Sequence, residues 1–230
     1  LAIFQIQNGI SGILAVGTTG ESPTLTWEEH HRIIEVIVET TKDKCFSIAG
    51  TGSNNTNETI AATRHAVEVG ADAVLLVEPY YNGPSSIEIR KEYIAPVAKS
   101  FPEIEIIPYI IPGRTGTQLF PQDLALLHKE FNNVNAVKEA TGNFENMKRT
   151  REFCGKNFSI FSGDDAVTYE IMTDSLINAS GVISVISNIA PKAVSEMVKL
   201  TSKKNLDDAK KLASDLEPLF NVVTVKTMEK

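Results

Sequence analysis

Seven short runs rich in β-forming residues recur along this chain at intervals of roughly 24 to 33 residues: Gly12 to Val16, Cys45 to Ala49, Ala73 to Val77, Ile104 to Ile110, Val134 to Val137, Phe158 to Phe161 and Val182 to Ile186. A helical pattern fills each gap, so the chain reads as a βα repeat. Helix boundaries carry their own signals. Thr26-Trp27-Glu28-Glu29 has the form of a capping box ahead of Ile33, Ile34 and Ile37. Gly70 suits the end of a helix begun near Glu58, Pro121 suits a first turn, and Asn143 and Gly155 bracket a further helix. Pro96 falls inside a helix expected from Ile87 to Lys99, where it should kink or end it.

Seven such repeats predict an α/β fold of the (β/α)8 TIM-barrel type, whose usual length is ~250 residues. The count is one strand short, and residues 1 to 10 read as the end of a helix. The expectation is a barrel lacking its first strand and its C-terminal helices, with an open doubly wound sheet as the alternative. The catalytic barrel is expected over residues 1–200, and 201–230 as the start of a C-terminal helical region.

Composition narrows the partners. Of 230 residues, 42% are hydrophobic and 22% charged, ample for one large core, and the net charge of −7 disfavours a nucleic-acid partner. Cys45 and Cys154 stand alone, outside any disulfide framework or zinc spacing, which suits a reducing, cytoplasmic setting. No apolar stretch approaches the ~18 residues of a membrane span, and no targeting segment is evident. The expected ligands are small molecules, with no cofactor and no metal; His30, His31, His65 and His128 show no metal spacing.

The polar residues that matter sit just after the strands, where barrel active sites lie. Thr18 and Thr19 follow the first run, Thr51 the second, Tyr80 and Tyr81 the third, while Tyr109 and Lys138 lie late in the fourth and fifth. Lys138 is the most telling of these. In a strand it shares a face with Val134 and Ala136, and that face looks inward. A buried ammonium is costly, and losing its proton relieves the cost. The resulting neutral amine is a nucleophile toward carbonyl carbon, so Lys138 is a candidate Schiff-base lysine. The alternative is a lysine whose stem packs on apolar neighbours while its head reaches water.

Other strand ends offer complementary chemistry. Gly17-Thr18-Thr19-Gly20-Glu21-Ser22 presents hydroxyls and amides ahead of a helix, suited to a carboxylate, or else a capped turn. Neither a phosphate loop nor a full dinucleotide fingerprint is present. Tyr109 could move a proton beside Lys138, and Arg114 could clamp a second carboxylate. Asp164 and Asp165 read as helix N-caps.

Taken together, Gly17-Thr18-Thr19-Gly20-Glu21-Ser22, Pro79-Tyr80-Tyr81-Asn82, Pro112-Gly113-Arg114-Thr115-Gly116, Val137-Lys138-Glu139-Ala140-Thr141-Gly142-Asn143, Ser162-Gly163-Asp164-Asp165 and Gly181-Val182-Ile183-Ser184 resemble the dihydrodipicolinate synthase family of pyruvate-dependent class I aldolases. The resemblance runs in order from about Asn8 to about Lys199. It implies a homotetramer of tight dimers that condenses pyruvate with L-aspartate 4-semialdehyde to 4-hydroxy-tetrahydrodipicolinate, in lysine (diaminopimelate) biosynthesis. Carried over, Lys138 forms the imine, Thr18 and Thr19 hold the pyruvate carboxylate, and Thr19 bridges a proton relay between Tyr109 and Tyr81. Tyr81 is donated across the dimer, Arg114 binds the semialdehyde carboxylate, and the Ile183 carbonyl faces the lysine. A lysine-binding regulatory site would include Ser22, His30, Asn54, Glu58 and Tyr80. Ile110 stands where the family usually has asparagine, Gly113 where it has serine, and Trp27 where histidine is common. Related sugar-acid lyases, of the 2-keto-3-deoxygluconate or N-acetylneuraminate aldolase type, share the lysine and tyrosine but usually lack an arginine at the position of Arg114. An inactive barrel is the remaining reading.

Overall fold

The computed structural model describes residues 1–223. Seven parallel strands form one sheet in sequence order: β1 (Gly12–Ala15), β2 (Phe46–Gly50), β3 (Ala73–Val77), β4 (Glu105–Ile110), β5 (Ala136–Glu139), β6 (Ser159–Ser162) and β7 (Gly181–Val182). Helices fill the connections: α1 (Ala2–Gln7), α2 (Trp27–Thr41), α3 (Thr56–Glu68), α4 (Ser86–Glu88), α5 (Ala95–Ser100), α6 (Pro112–Thr115), α7 (Pro121–Glu130), α8 (Phe144–Cys154), α9 (Thr168–Thr173), α10 (Pro191–Ser202) and α11 (Leu206–Val223). Within the stretch expected as a C-terminal helical region, α11 is described and residues 224–230 lie outside the described residues.

The strands are apolar on both faces because both faces are covered. One face packs on the helices through Val74, Leu76, Ile106, Ile110, Val137 and Ile160. The other face gathers Ala73, Leu75, Ile107, Tyr109 and Ala136 with Leu14, Ile48, Phe161 and Ile183. In a flat sheet, Leu14 on β1 and Ile183 beyond β7 would be ~29 Å apart at ~4.8 Å per strand. The two edges nevertheless meet, since residues just before β1 bond residues that follow β7, and the sheet therefore curls into a barrel wall. Across the gap, the Gln5 amide donates to the Ser187 carbonyl at 2.8 Å and the Ser195 hydroxyl to the Gly9 carbonyl at 2.7 Å.

Several boundaries match the sequence signals. Thr26 caps α2 in a reciprocal box with Glu29, Asn143 caps α8, and Gly70 adopts φ +86° just beyond α3. One expectation is sharpened and two are corrected. Pro96 does not end its helix, which is distorted just before it. The chain passes from α4 through a π-helical stretch, Ile89–Ile94, into α5, and the Glu92 carbonyl that a proline N–H cannot bond accepts the Thr56 hydroxyl at 3.0 Å. Val134 does not share the inner face, since β5 begins at Ala136 and Val134 packs in the outer layer. The last strand stops at Val182, because the amides of Val185 and Ile186 bond the Asp165 carboxylate at 2.8 and 3.1 Å rather than extending the sheet.

Candidate active site

The parallel register sets Tyr109 of β4 directly beside Lys138 of β5, both on the inner face near the C-terminal ends of their strands. Lys138 is 7% exposed, and its Nζ lies 4.1 Å from the centre of the Tyr109 ring. Burial pulls the lysine down to about 8, opposed by the charge of Asp165. Space for the lysine depends on Gly163: a Cβ there would lie 2.7 Å from the Ala140 Cβ and 3.3 Å from the Lys138 Cε. Burial raises the Tyr109 phenol, opposed by the Arg114 charge and by a hydrogen bond from Thr18.

Thr18 and Thr19 open a 3-10 turn, Thr18–Gly20, after β1. Thr18 is half-buried and acts on the Tyr109 phenol, and Thr19 is exposed. The turn departs from the strand through Val16 at φ +57°, a costly conformation for a β-branched residue. Gly50 on the neighbouring strand admits it, since a Cβ there would sit 2.7 Å from the Val16 carbonyl oxygen.

Arg114 lies exposed on α6, which Gly116 terminates at φ +70°. Tyr81 is 89% exposed and holds φ +82°. Ile183 lies just beyond β7 with its amide bonded to the Ser162 carbonyl at 2.9 Å, two strands from Lys138. Thr51 takes no part in this group: fully buried, it bonds the Thr63 hydroxyl at 3.0 Å and ties α3 to the sheet.

Asp164 and Asp165 do not cap α9, whose N-cap is Val167. Asp164 closes a local turn onto the Ala166 amide at 3.0 Å, while Asp165 bonds the Ser184 hydroxyl and the two amides beyond β7. Sequence reading missed Asp165 and Gly163 as neighbours of the lysine; the available signal was their place at the end of the strand next to β5.

The residues named for a regulatory site fall on the β1–α2, β2–α3 and β3–α4 connections, on α2 and in the first turn of α3. Glu58 accepts the Ser53 hydroxyl at 2.7 Å, and Asn55 caps α3. His30 is buried against Trp27, with ring centres 5.1 Å apart. His31 and His65 stack at 4.1 Å. Among the described residues, no group of three metal-ligating side chains is placed to hold an ion.

A curled parallel sheet with a buried lysine beside a tyrosine at its C-terminal rim defines a barrel enzyme with a lysine-centred site. The chain matches the dihydrodipicolinate synthetase family model over residues 1–229 and belongs to that family. It is 43% identical over 224 residues to the 4-hydroxy-tetrahydrodipicolinate synthase of Sulfurihydrogenibium sp. (strain YO3AOP1), covering 97% of this chain and 75% of that protein. Among solved structures, the chloride-inhibited dihydrodipicolinate synthase of Acinetobacter baumannii, complexed with pyruvate, superposes with a TM-score of 0.91 at 38% identity, over 99% of this chain and 76% of that one. The Cyanidioschyzon merolae enzyme with lysine bound gives 0.93 at 33% identity, over 98% and 75%. No helix among the described residues is long and apolar enough to cross a membrane.

Proposed function

We propose that this chain condenses pyruvate with L-aspartate 4-semialdehyde through an imine on Lys138, giving 4-hydroxy-tetrahydrodipicolinate. The observation that carries the reading is Lys138 itself, buried on the inner face beside Tyr109 and held at about 8, so that a usable fraction is neutral near physiological pH. Its amine adds to the keto carbon of pyruvate and water leaves. Loss of a methyl proton gives an enamine, whose carbon attacks the aldehyde carbon. The acceptor's own amine then displaces Lys138 from the imine carbon, closing the ring.

In this scheme the amides and hydroxyls of Thr18 and Thr19 hold the pyruvate carboxylate at the Gly17–Ser22 turn. Thr19 bridges a proton relay between Tyr109 and Tyr81, with Thr18 beside the Tyr109 phenol. Tyr81, exposed and strained, completes the relay of a neighbouring subunit in a tight dimer, two of which form a tetramer. Arg114 binds the carboxylate of the semialdehyde, and the Ile183 carbonyl faces the imine. Ser22, His30, Asn54, Glu58 and Tyr80 contribute to an L-lysine site, and the enzyme works in the cytoplasm. Arg114 favours the semialdehyde over a sugar acid as acceptor, because a guanidinium fork matches a second carboxylate.

Borohydride reduction with pyruvate, followed by peptide mapping, tests the reading. One pyruvate-derived adduct per chain at Lys138, absent from Lys138→Ala, is expected; labelling elsewhere or no labelling of the wild type overturns it.

A further inference from the structure

Glu78 follows β3, three residues before Tyr81, and its carboxyl is completely buried. Among the described residues, no lysine, arginine or histidine pairs with it. A carboxyl in that position costs stability that an apolar side chain would not, unless directed hydrogen bonds repay it. The bonds present all come from one loop. The Leu119 amide donates to Oε1 and the Thr115 hydroxyl to Oε2 at 3.4 Å. Arg114 immediately precedes the first of these points of attachment.

A second stitch joins the same two segments on the far side of Tyr81, where the Thr117 hydroxyl donates to the Pro84 carbonyl at 2.5 Å. Tyr81 is therefore bracketed, Glu78 before it and Pro84 after it, by bonds to the loop that carries Arg114. Such double attachment is what a tyrosine at φ +82° requires to persist.

We propose that Glu78 is a positioning residue: its buried carboxyl clamps the segment from Thr115 to Leu119 onto the Tyr81 segment, and so sets the placement of Arg114, the residue before Thr115, toward the second substrate without touching that substrate. The inference rests on the reading of Arg114 given above. Burial, with Glu139 adding its charge, pushes the Glu78 carboxyl up to about 8, so the neutral acid dominates at neutral pH and glutamine is a close mimic of it. Valine fills similar space but offers no acceptor.

The test measures four variants: Glu78→Gln, Glu78→Val, Thr115→Val, and Glu78→Val combined with Arg114→Ala. Glu78→Val should raise the KM for L-aspartate 4-semialdehyde by about tenfold or more while borohydride-trapped imine with pyruvate stays within about twofold; Glu78→Gln should stay near wild type. In the Arg114→Ala background the valine should add less than about twofold, since the arginine it positions is gone. Amide exchange over residues 111–119 should quicken in Glu78→Val, and less so in Thr115→Val, with residues 136–141 unchanged. Thr115→Val carries the test if the Glu78→Val protein does not fold. An unchanged acceptor KM in a folded valine variant, or parallel loss of imine formation, overturns the proposal. A wild type that forms no imine or refuses the semialdehyde overturns the functional reading instead, and the exchange measurement still decides the clamp.

Discussion

Tyr109 and Lys138 occupy one rung of the sheet on adjacent strands, with the lysine Nζ 4.1 Å from the centre of the tyrosine ring. The ring face stabilises the ammonium and partly offsets the cost of burying it. Burial raises the Tyr109 phenol, with the Arg114 charge opposing, so the same side chain that covers the lysine keeps its own proton.

Imine formation should follow the neutral fraction of Lys138. Its rate is expected to rise with pH through a midpoint near 8, because burial disfavours the ammonium. Asp165 favours the charged form, so Asp165→Asn should move that midpoint to lower pH, by roughly half a unit to one unit. Trapping rates between pH 6 and 10 read this directly, and a midpoint that stays or rises in the variant contradicts the assignment.

Gly163→Ala should damage the site from behind. The new Cβ would crowd Ala140 and the Lys138 stem, at 2.7 and 3.3 Å. We expect a loss of ~1–3 kcal/mol in urea unfolding, typical of overpacking, together with slower imine formation. Wild-type stability and trapping rate would show that β5 and β6 yield more easily than their packing indicates.

Tyr81 is expected to work in the neighbouring subunit. Mixing inactive Tyr81→Phe with inactive Lys138→Ala should restore part of the activity, because a mixed dimer then holds one complete site. Absence of complementation, with mixed dimers confirmed by native mass spectrometry, would put Tyr81 outside the partner's relay.

Acid should loosen the packing of α2 on α3. Burial, with the charge of His31 next, lowers His30 from 6.5 to about 4, and burial followed by the charge of His65 lowers His31. A depressed folded value means that the unfolded chain takes up protons first, so stability falls as pH drops below about 6.5 and continues falling toward 4. His30 contributes about 2 kcal/mol of that loss, which His30→Gln should remove. Urea midpoints at pH 7 and pH 5 measure it; equal pH dependence in the wild type and the variant would count against this account.

The sequence by itself determined the βα period, the inner-face lysine of β5, the tyrosine late in β4, and the caps at Thr26 and Asn143, because each is a local pattern read within one element. Only the tertiary structure decided what meets between elements. Asp165 reads as a helix cap in isolation, yet it bonds the chain beyond β7 and acts on Lys138, because curling the sheet brings the ends of β5, β6 and β7 together. Thr18 and Thr19 are indistinguishable as letters, and the 3-10 turn after Val16 leaves the first half-buried and the second in solvent. His31 and His65, 34 positions apart, become a stacked pair only when α2 lies against α3. Glu78 passes unnoticed in the sequence because its partners belong to a loop more than 30 residues away, and a buried carboxyl is defined by the donors that surround it.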